Sequence, residues 1–214
     1  MSTAREEILA RIRQAQPQPP ATSRTDEYVT MRRQYRQVGQ LDAEHRIKLF
    51  EERLQDYDAA VWRCPADQIS EVVARAMAAR GKKSLVAPAS VPAAWLPRQF
   101  DFLRGDDFSR DQLDVSEGVL TGCAVAIAIT GSIILQHQPG WGRRVVTLIP
   151  DYHLCVVFAS QVVETVPEAI RQFEPASKFP ITTISGPSAT ADIEMSRVKG
   201  VHGPRHLDVI LAVE

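Results

Sequence analysis

Two polar clusters near the carboxyl terminus combine the residue types that bind small anions and transfer protons. The first is the sequence GPSATADIE at residues 186–194, and the second is GVHGPR at residues 200–205. Glycine lets a ligand approach the backbone closely, and the hydroxyl side chains beside it can donate hydrogen bonds. The planar fork of Arg205 matches a carboxylate or phosphate, and the imidazole of His202 can act as an acid or a base. We therefore predict a small-anion site with acid–base chemistry.

The first cluster depends on the elements around it for its position. It follows the strand-like residues 181–184, and Ser188 or Thr190 is a suitable N-cap for a helix running over 192–199. Free N–H groups at a helix N-terminus attract anions, and ligands of open α/β sheets collect at the carboxyl ends of the strands. The pattern favours an anion pocket at this point; the alternative is a capped helix start without a ligand.

Charges inside the clusters leave a further alternative open. Asp192 and Glu194 oppose an anion unless they turn away or pair with Arg205. In that case the segment around His202 is a turn closed by an ion pair. The two histidines of this segment are four residues apart, but the proline between them prevents the helix that would align them on one metal. No metal site is predicted.

Basic residues in the middle of the chain are further candidates. Arg143 and Arg144 are adjacent and precede a predicted strand at 145–149, so their side chains should point to opposite faces and only one can face a given pocket. His153 stands at the start of the predicted strand 154–158, where the rim of a pocket is plausible. The alternative for His153 is a hydrogen-bonded structural histidine.

The order of apolar segments predicts an α/β domain. Nearly continuous apolar strands that alternate with helices are typical of a mostly parallel sheet. The predicted helices cover 3–15, 41–61, 65–81, 90–96 and 166–173, and the predicted strands cover 83–87, 100–103, 121–129, 133–135, 145–149, 154–158, 181–184 and 207–213. We assign residues 1–64 to an N-terminal helical segment with a proline-rich linker at 16–25, and residues 65–214 to the α/β domain.

Composition excludes several classes of partner. A net charge of −1 gives no reason to expect nucleic acid or an anionic membrane. No uncharged run has an apolar part long enough to span a bilayer, and the N-terminus is charged where a signal peptide is apolar, so a cytoplasmic protein is expected. Cys64, Cys123 and Cys155 are widely spaced and form no ligand set for an iron–sulfur cluster. The sequence also lacks phosphate-binding-loop, dinucleotide, nucleophile-elbow and zinc-protease motifs.

Four segments together resemble the LUD-domain family, and in particular its members of the lactate-utilisation protein C type. They are residues 126–132, 150–153, 186–194 and 200–205, and the resemblance extends from Glu71 to the carboxyl terminus. It implies a three-layer α/β fold of the kind shared by ribose-5-phosphate isomerase, glucosamine-6-phosphate deaminase and coenzyme A transferases. It also implies a cytoplasmic subunit of a lactate-oxidising oxidoreductase complex, acting with partner proteins that carry the iron–sulfur clusters, while this chain binds no cofactor.

The resemblance and the clusters together define the predicted site. Ile129 stands where the family commonly has a glutamate, so no role of that glutamate is carried over. We predict catalytic roles for His202 and His153. The predicted substrate-binding residues, which are small, hydroxyl-bearing or charged, are Thr130, Gly131, Ser132, Arg143, Gly186, Pro187, Ser188, Thr190, Asp192, Glu194, Gly203 and Arg205.

Oxidation of lactate requires a cation for the carboxylate, a base for the hydroxyl proton and an acceptor for two electrons. We expect Arg205, with Arg143 or Arg144, to hold the carboxylate, and His202 or His153 to be the base. Partners or a bound cofactor must supply the acceptor. One alternative is a stand-alone enzyme or binding protein for a phosphorylated sugar or an acyl-coenzyme A. Another is a non-catalytic assembly module. The lactate hypothesis requires the two polar clusters to converge on a single cavity beside the sheet.

Overall fold

The computed structural model describes residues 3–15, 24–32, 34–173, 178–191, 197–199 and 202–213. The chain divides into two compact units, residues 1–35 and 36–214. The first unit contains helices α1 (Ala4–Ala15) and α2 (Arg24–Thr30). Helix α1 is the predicted helix over 3–15, and its apolar residues Ile8, Leu9 and Ile12 are exposed. Residues 16–23 of the predicted linker lie outside the described residues.

The second unit contains the remaining elements. Its helices are α3 (Ala43–Asp56), α4 (Ile69–Ala79), α5 (Arg110–Asp114) and α6 (Val166–Arg171). Its strands are β1 (Ala60–Pro65), β2 (Ser84–Pro88), β3 (Asp101–Gly105), β4 (Val119–Thr121), β5 (Val125–Ile127), β6 (Ser132–Gln136), β7 (Tyr152–Phe158), β8 (Val162–Val163), β9 (Ile181–Ile184), β10 (Ala189–Ala191), β11 (Arg197–Lys199) and β12 (His206–Val213). Short 3₁₀ turns occur at Ala66–Gln68, Ala93–Trp95, Arg144–Thr147 and Ala159–Gln161.

A six-stranded sheet forms the centre of this unit. Its order is β1-β12-β7-β4-β2-β3, and every neighbouring pair is parallel. Alternate residues of β12 enter opposite cores, because side chains alternate across a strand: Val209 packs with Phe50 of α3, and Ile210 packs with Val73 of α4. The predicted α/β fold with a mostly parallel sheet between helices is therefore confirmed.

A second, four-stranded sheet lies on the same side as α3. Its order is β8-β5-β6-β9, and β5 and β6 form an antiparallel hairpin. The sequence predicted one continuous strand over 121–129. The structure instead breaks it at residues 122–124, because β4 pairs with β7 in the parallel sheet whereas β5 pairs with β6 in the second sheet.

Three further predictions differ from the structure. The predicted strand over 145–149 is mostly a 3₁₀ turn, whose Val146 is buried in a cluster with Phe108 and Leu113. Val61 belongs to β1 and not to a helix. The predicted helix over 192–199 is wrong at its described end, because β11 pairs antiparallel with β10, with Thr190 opposite Val198. Both of these residues are β-branched, and such residues favour strands.

The boundary between the two units also lies elsewhere than the sequence placed it. The sequence set the division after residue 64, whereas the structure divides the chain after residue 35. Helix α3 belongs to the second unit because Phe50 and Leu54 are fully buried in its core. Strand β1 belongs there too, as the edge strand next to β12.

Candidate functional site

The two polar clusters lie against each other, as the sequence predicted. The backbone N–H of Ser188 donates to the carbonyl of Pro204 at 2.8 Å, and the Ser188 hydroxyl accepts the N–H of His202 at 3.0 Å. Gly186 has φ +83°, and a Cβ built there would lie 2.5 Å from the Cβ of Tyr57. Because that position has neither the conformation nor the space for a side chain, a glycine is required for this approach.

The clusters form one wall of a polar cleft of about 190 Å³. The cleft opens at the amino ends of β7 and β12, where His153 and Leu207 are each the second residue of the strand. The sequence predicted a site at the carboxyl ends of the strands, whereas this cleft lies at the amino ends of two strands of the central sheet. The first cluster does follow the carboxyl end of β9, but β9 belongs to the other sheet. The cleft is lined by Arg144, Thr147, His153, Thr182, Thr183, Ile184, Ser185, Gly186, Pro187, Ser188, His202, Gly203, Pro204 and Leu207.

His153 is a buried, uncharged member of this lining. Only 1% of its surface is exposed, and its Nε2 lies 2.7 Å from the Thr121 hydroxyl. Burial, and secondarily the charge of Arg144, lower the pKa of His153 from its ordinary 6.5 to about 4. At neutral pH, His153 therefore offers the cleft a neutral imidazole and no positive charge. The Thr121 hydroxyl also lies 3.7 Å from the Cys155 sulfur, so it contacts both buried side chains.

Arg144 supplies the positive charge of the cleft. Its Nη1 donates to the Thr147 hydroxyl at 3.1 Å, which fixes the guanidinium beside the cavity. Partial burial lowers the pKa of Arg144, but a guanidinium stays charged in a protein. Partial loss of hydration strengthens its attraction for a carboxylate relative to a fully hydrated arginine.

Arg143 faces away from the cleft, so the prediction that only one of the two arginines can face it agrees with their placement. Its Nη2 donates to the carbonyl of Phe108 at 2.9 Å and forms an exposed ion pair with Asp107 at 3.0 Å. Sequence reasoning assigned Arg143 to the substrate, whereas the structure brings Arg144 to the cleft. The 3₁₀ turn that starts at Arg144 decides this orientation.

Arg205 does not line the cleft and forms an ion pair with Asp151 instead. Its Nε and Nη2 donate to the two carboxylate oxygens of Asp151 at 2.6 and 2.9 Å. The Arg205 guanidinium holds the pKa of Asp151 below its ordinary value. Arg205 therefore links the residues that precede β7 and β12, and its guanidinium fork is occupied by Asp151. The alternative partners, Asp192 and Glu194, lie outside the described residues, as do Gly200 and Val201.

The predicted residues 130–132 lie in the turn between β5 and β6. Gly131 has φ +58°, and a Cβ there would lie 2.7 Å from the Cβ of Arg53, so the turn packs closely on α3. The Ser132 hydroxyl lies 2.7 Å from that of Ser185, which lines the cleft. Ser132 therefore supports the cleft wall from behind, while Thr130 and Gly131 do not line it. The backbone of Thr190 belongs to β10.

Sequence reasoning missed several hydroxyl groups of the cleft. Thr182 and Thr183 of β9 line it, and the Thr182 hydroxyl lies 2.7 Å from Nε2 of His137. Nδ1 of His137 donates to the carbonyl of Gly142 at 3.0 Å, so the ring is held between this carbonyl and Thr182. Two successive threonines within an apolar strand were the signal that could have revealed this wall.

The described residues contain no group of three or more His, Cys, Asp or Glu side chains that could hold a metal ion. The three cysteines are free and buried. Burial raises the pKa of the Cys155 thiol to about 12, which keeps it protonated. Within the described part of the chain, no helix has the length and apolar character needed to cross a membrane.

The structure defines an α/β protein with a polar cleft at the amino ends of two strands of its parallel sheet. The profile of the LUD domain matches residues 105–212, and the chain belongs to this family, as its motifs predicted. It is 45% identical over 165 residues to lactate utilization protein C of Deinococcus radiodurans, covering 76% of this chain and 77% of that protein.

The chain is also similar to another lactate utilization protein C and to a solved structure. The chain is 31% identical over 158 residues to lactate utilization protein C of Macrococcus caseolyticus, covering 64% of this chain and 65% of that protein. The crystal structure of a DUF162 family protein from Deinococcus radiodurans superposes with a TM-score of 0.70 at 38% sequence identity. That match covers 82% of this chain and all of the other chain.

Proposed function

We propose that this protein is a cytoplasmic component of an L-lactate utilisation system and that its polar cleft binds L-lactate during oxidation to pyruvate. One observation carries the proposal: Arg144 and two histidines face a single small cavity lined with hydroxyl and backbone groups. The names of its relatives, lactate utilization protein C, point to the same substrate.

The cleft offers lactate a cation and hydrogen-bond donors of suitable kind. In our proposal, Arg144 binds the carboxylate through its planar fork, and the Thr147 hydroxyl holds that fork in place. The cleft is small, which suits a three-carbon acid better than a nucleotide-bearing ligand. Neutral His153 and the Ser188 hydroxyl are the groups available to orient the substrate hydroxyl.

His202 is the better acid–base candidate of the two histidines. Its side chain is exposed at the cleft, and its backbone N–H is fixed by Ser188. His153 is a weak base because its pKa is about 4, so we assign it a positioning role. Removal of two electrons and two protons from lactate gives pyruvate. The electrons must leave to an acceptor, and we propose that iron–sulfur partner proteins provide it.

Binding of L-lactate to the purified protein, measured by isothermal titration calorimetry, tests the proposal. We expect Arg144→Gln to weaken binding about tenfold or more, since it removes the charge that pairs with the carboxylate. The adjacent Arg143→Gln variant is the matched control, because it removes the same charge from a side chain that faces Phe108 and Asp107. Equal losses in the two variants would show that the carboxylate is not bound by Arg144.

The other candidate functions give different outcomes in the same titration. Binding of ribose 5-phosphate or acetyl-coenzyme A without binding of lactate would support a stand-alone protein for a sugar phosphate or an acyl-coenzyme A. Lactate-dependent growth of cells that carry His202→Ala tests catalysis separately. Normal growth with this variant would support a non-catalytic assembly module.

A further inference from the structure

A second pocket lies at the other end of the strands of the central sheet, and it shares no lining residue with the polar cleft. It is bounded by residues that follow the carboxyl ends of three neighbouring strands: Val91 after β2, Cys123 after β4 and Gln161 after β7. Its volume is about 370 Å³, within the range of about 300–1,000 Å³ that is usual for small-molecule pockets.

The topology of the sheet places this pocket where α/β proteins bind ligands. From β2 the chain continues outward to β3. From β4 it first forms β5 and β6 in the second sheet and then returns to the central sheet as β7, on the other side of β4. The direction of the connections therefore reverses between β2 and β4. Loops that leave neighbouring strands in opposite directions open a crevice at their carboxyl ends, and ligands bind there in open α/β sheets.

Aromatic rings form the walls of this pocket. Trp95, Trp141 and Phe158 line it, and the rings of Trp95 and Phe158 have centroids 5.9 Å apart at an angle of 46°. All three aromatic residues are only partly buried, so their rings are accessible from the cavity. Such surfaces bind flat apolar rings by stacking and edge-to-face contact.

The polar groups at the base of the pocket are already paired. The Gln161 amide donates to the carbonyl of Cys123 at 2.8 Å and accepts the N–H of Phe158 at 2.9 Å. The Cys123 thiol is buried, and burial raises its pKa, so it stays neutral. The lining contains no Asp, Glu, Lys or Arg. An ionised ligand would therefore lose its hydration without gaining a charged partner.

We propose that this pocket, which we call the aromatic pocket, binds an uncharged, flat aromatic ring system of about two fused rings. The site forms before the ligand arrives, because Gln161 ties the loop after β4 to the loop after β7. The proposal concerns binding alone. It does not depend on lactate binding in the polar cleft, because the two pockets have no lining residue in common.

Nuclear magnetic resonance of the tryptophan indole groups tests this inference. The protein has three tryptophans, so the ¹⁵N-labelled protein gives three indole N–H signals. Trp95 and Trp141 line the aromatic pocket, whereas the indole of Trp62 lies 3.4 Å from Asp208 and serves as an internal control. With 2-naphthamide as the probe, we expect saturable shifts of the Trp95 and Trp141 signals and none of the Trp62 signal.

An isosteric anion and two variants sharpen the test. We expect 2-naphthoate to bind about tenfold more weakly than 2-naphthamide, because its charge has no partner in the pocket. Trp141→Ala should weaken binding of the amide about tenfold, and Trp95→Phe should keep most of it. The Trp62 signal reports whether each variant is folded. Equal binding of the two probes, equal shifts of all three signals, or no shift at millimolar 2-naphthamide would overturn the proposal.

Discussion

The two ends of the central sheet are built from different kinds of residue. At the amino end, the polar cleft is lined by Arg144, two histidines and several hydroxyls. At the carboxyl end, the aromatic pocket is lined by rings, aliphatic groups and the uncharged side chains of Ser90, Cys123 and Gln161. The first suits a small ion and the second an uncharged ring. One sheet can therefore present two chemically different surfaces, because its two ends face different cavities. Even Trp141 and Arg144, which are only three positions apart, line different cavities.

The largest difference that we expect between the two ends is in how much the free energy of unfolding falls when one polar side chain is removed. Asp208 is fully buried near the amino end and binds Arg80 at 2.6 Å and the Tyr152 hydroxyl at 3.1 Å. Asp208→Ala leaves Arg80 without its partner and should lower the free energy of unfolding by about 3–5 kcal/mol. Gln161→Ala, at the carboxyl end, should cost only about 1–2 kcal/mol, since it removes neutral hydrogen bonds. Urea unfolding measures both, and similar costs would contradict this contrast.

Titration of His153 should make the amino end sensitive to acid. Its folded pKa of about 4 is below the ordinary 6.5, so the unfolded chain binds the proton more readily. The stabilising contribution of neutral His153 is present above pH 6.5 and is lost as pH falls toward 4, by about 3 kcal/mol in total.

The variant His153→Gln isolates this contribution, because glutamine can keep a hydrogen bond to Thr121 and does not titrate in this range. We expect the free energy of unfolding of the natural protein to fall more steeply than that of the variant between pH 6.5 and 4. Parallel curves would show that His153 is not responsible. Binding of 2-naphthamide at the aromatic pocket should change little between pH 7 and 6.

The smallest difference that we expect between the two ends is in the free energy of unfolding when one glycine at each end is replaced by alanine. Gly186 of the polar cleft has φ +83° and has Tyr57 within 2.5 Å of a built Cβ. Gly186→Ala should therefore cost about 2 kcal/mol and weaken binding in the cleft. At Gly122 of the aromatic pocket, the built Cβ meets Trp95 at an ordinary 3.8 Å.

Gly122→Ala should accordingly change the free energy of unfolding by less than about 1 kcal/mol. Thermal unfolding compares the two variants under identical conditions. A larger loss in Gly122→Ala than in Gly186→Ala would show that the aromatic pocket, and not the polar cleft, is the tightly packed region.

Local patterns predicted the elements whose residues interact mainly with near neighbours. The apolar stripe of Val72, Val73 and Met77 predicted α4, and these residues are fully buried. Thr165 followed by Pro167 predicted the start of α6, where Thr165 caps the helix through the N–H of Glu168. Such signals are reliable because caps and amphipathic faces act within one or two turns of helix.

Predictions failed where pairing with a distant strand decided the structure. Residues 121–129 form one apolar run, yet β4 and β5 pair in different sheets. Capping residues near 190 indicated a helix, yet β10 pairs with β11. Arg143 and Arg144 are equivalent in the sequence, and only the 3₁₀ turn at 144–147 selects Arg144 for the cleft.

The amino-acid sequence alone determined the family, the α/β class and the convergence of the two glycine–proline clusters, because these depend on motifs and on the periodicity of apolar residues. The tertiary structure alone placed the polar cleft at the amino ends of β7 and β12, and it engaged Arg205 with Asp151. It also enclosed the aromatic pocket with residues more than fifty positions apart, such as Trp95 and Phe158. Which side chains share a cavity depends on strand order, and strand order is set by packing between segments that are far apart in the chain.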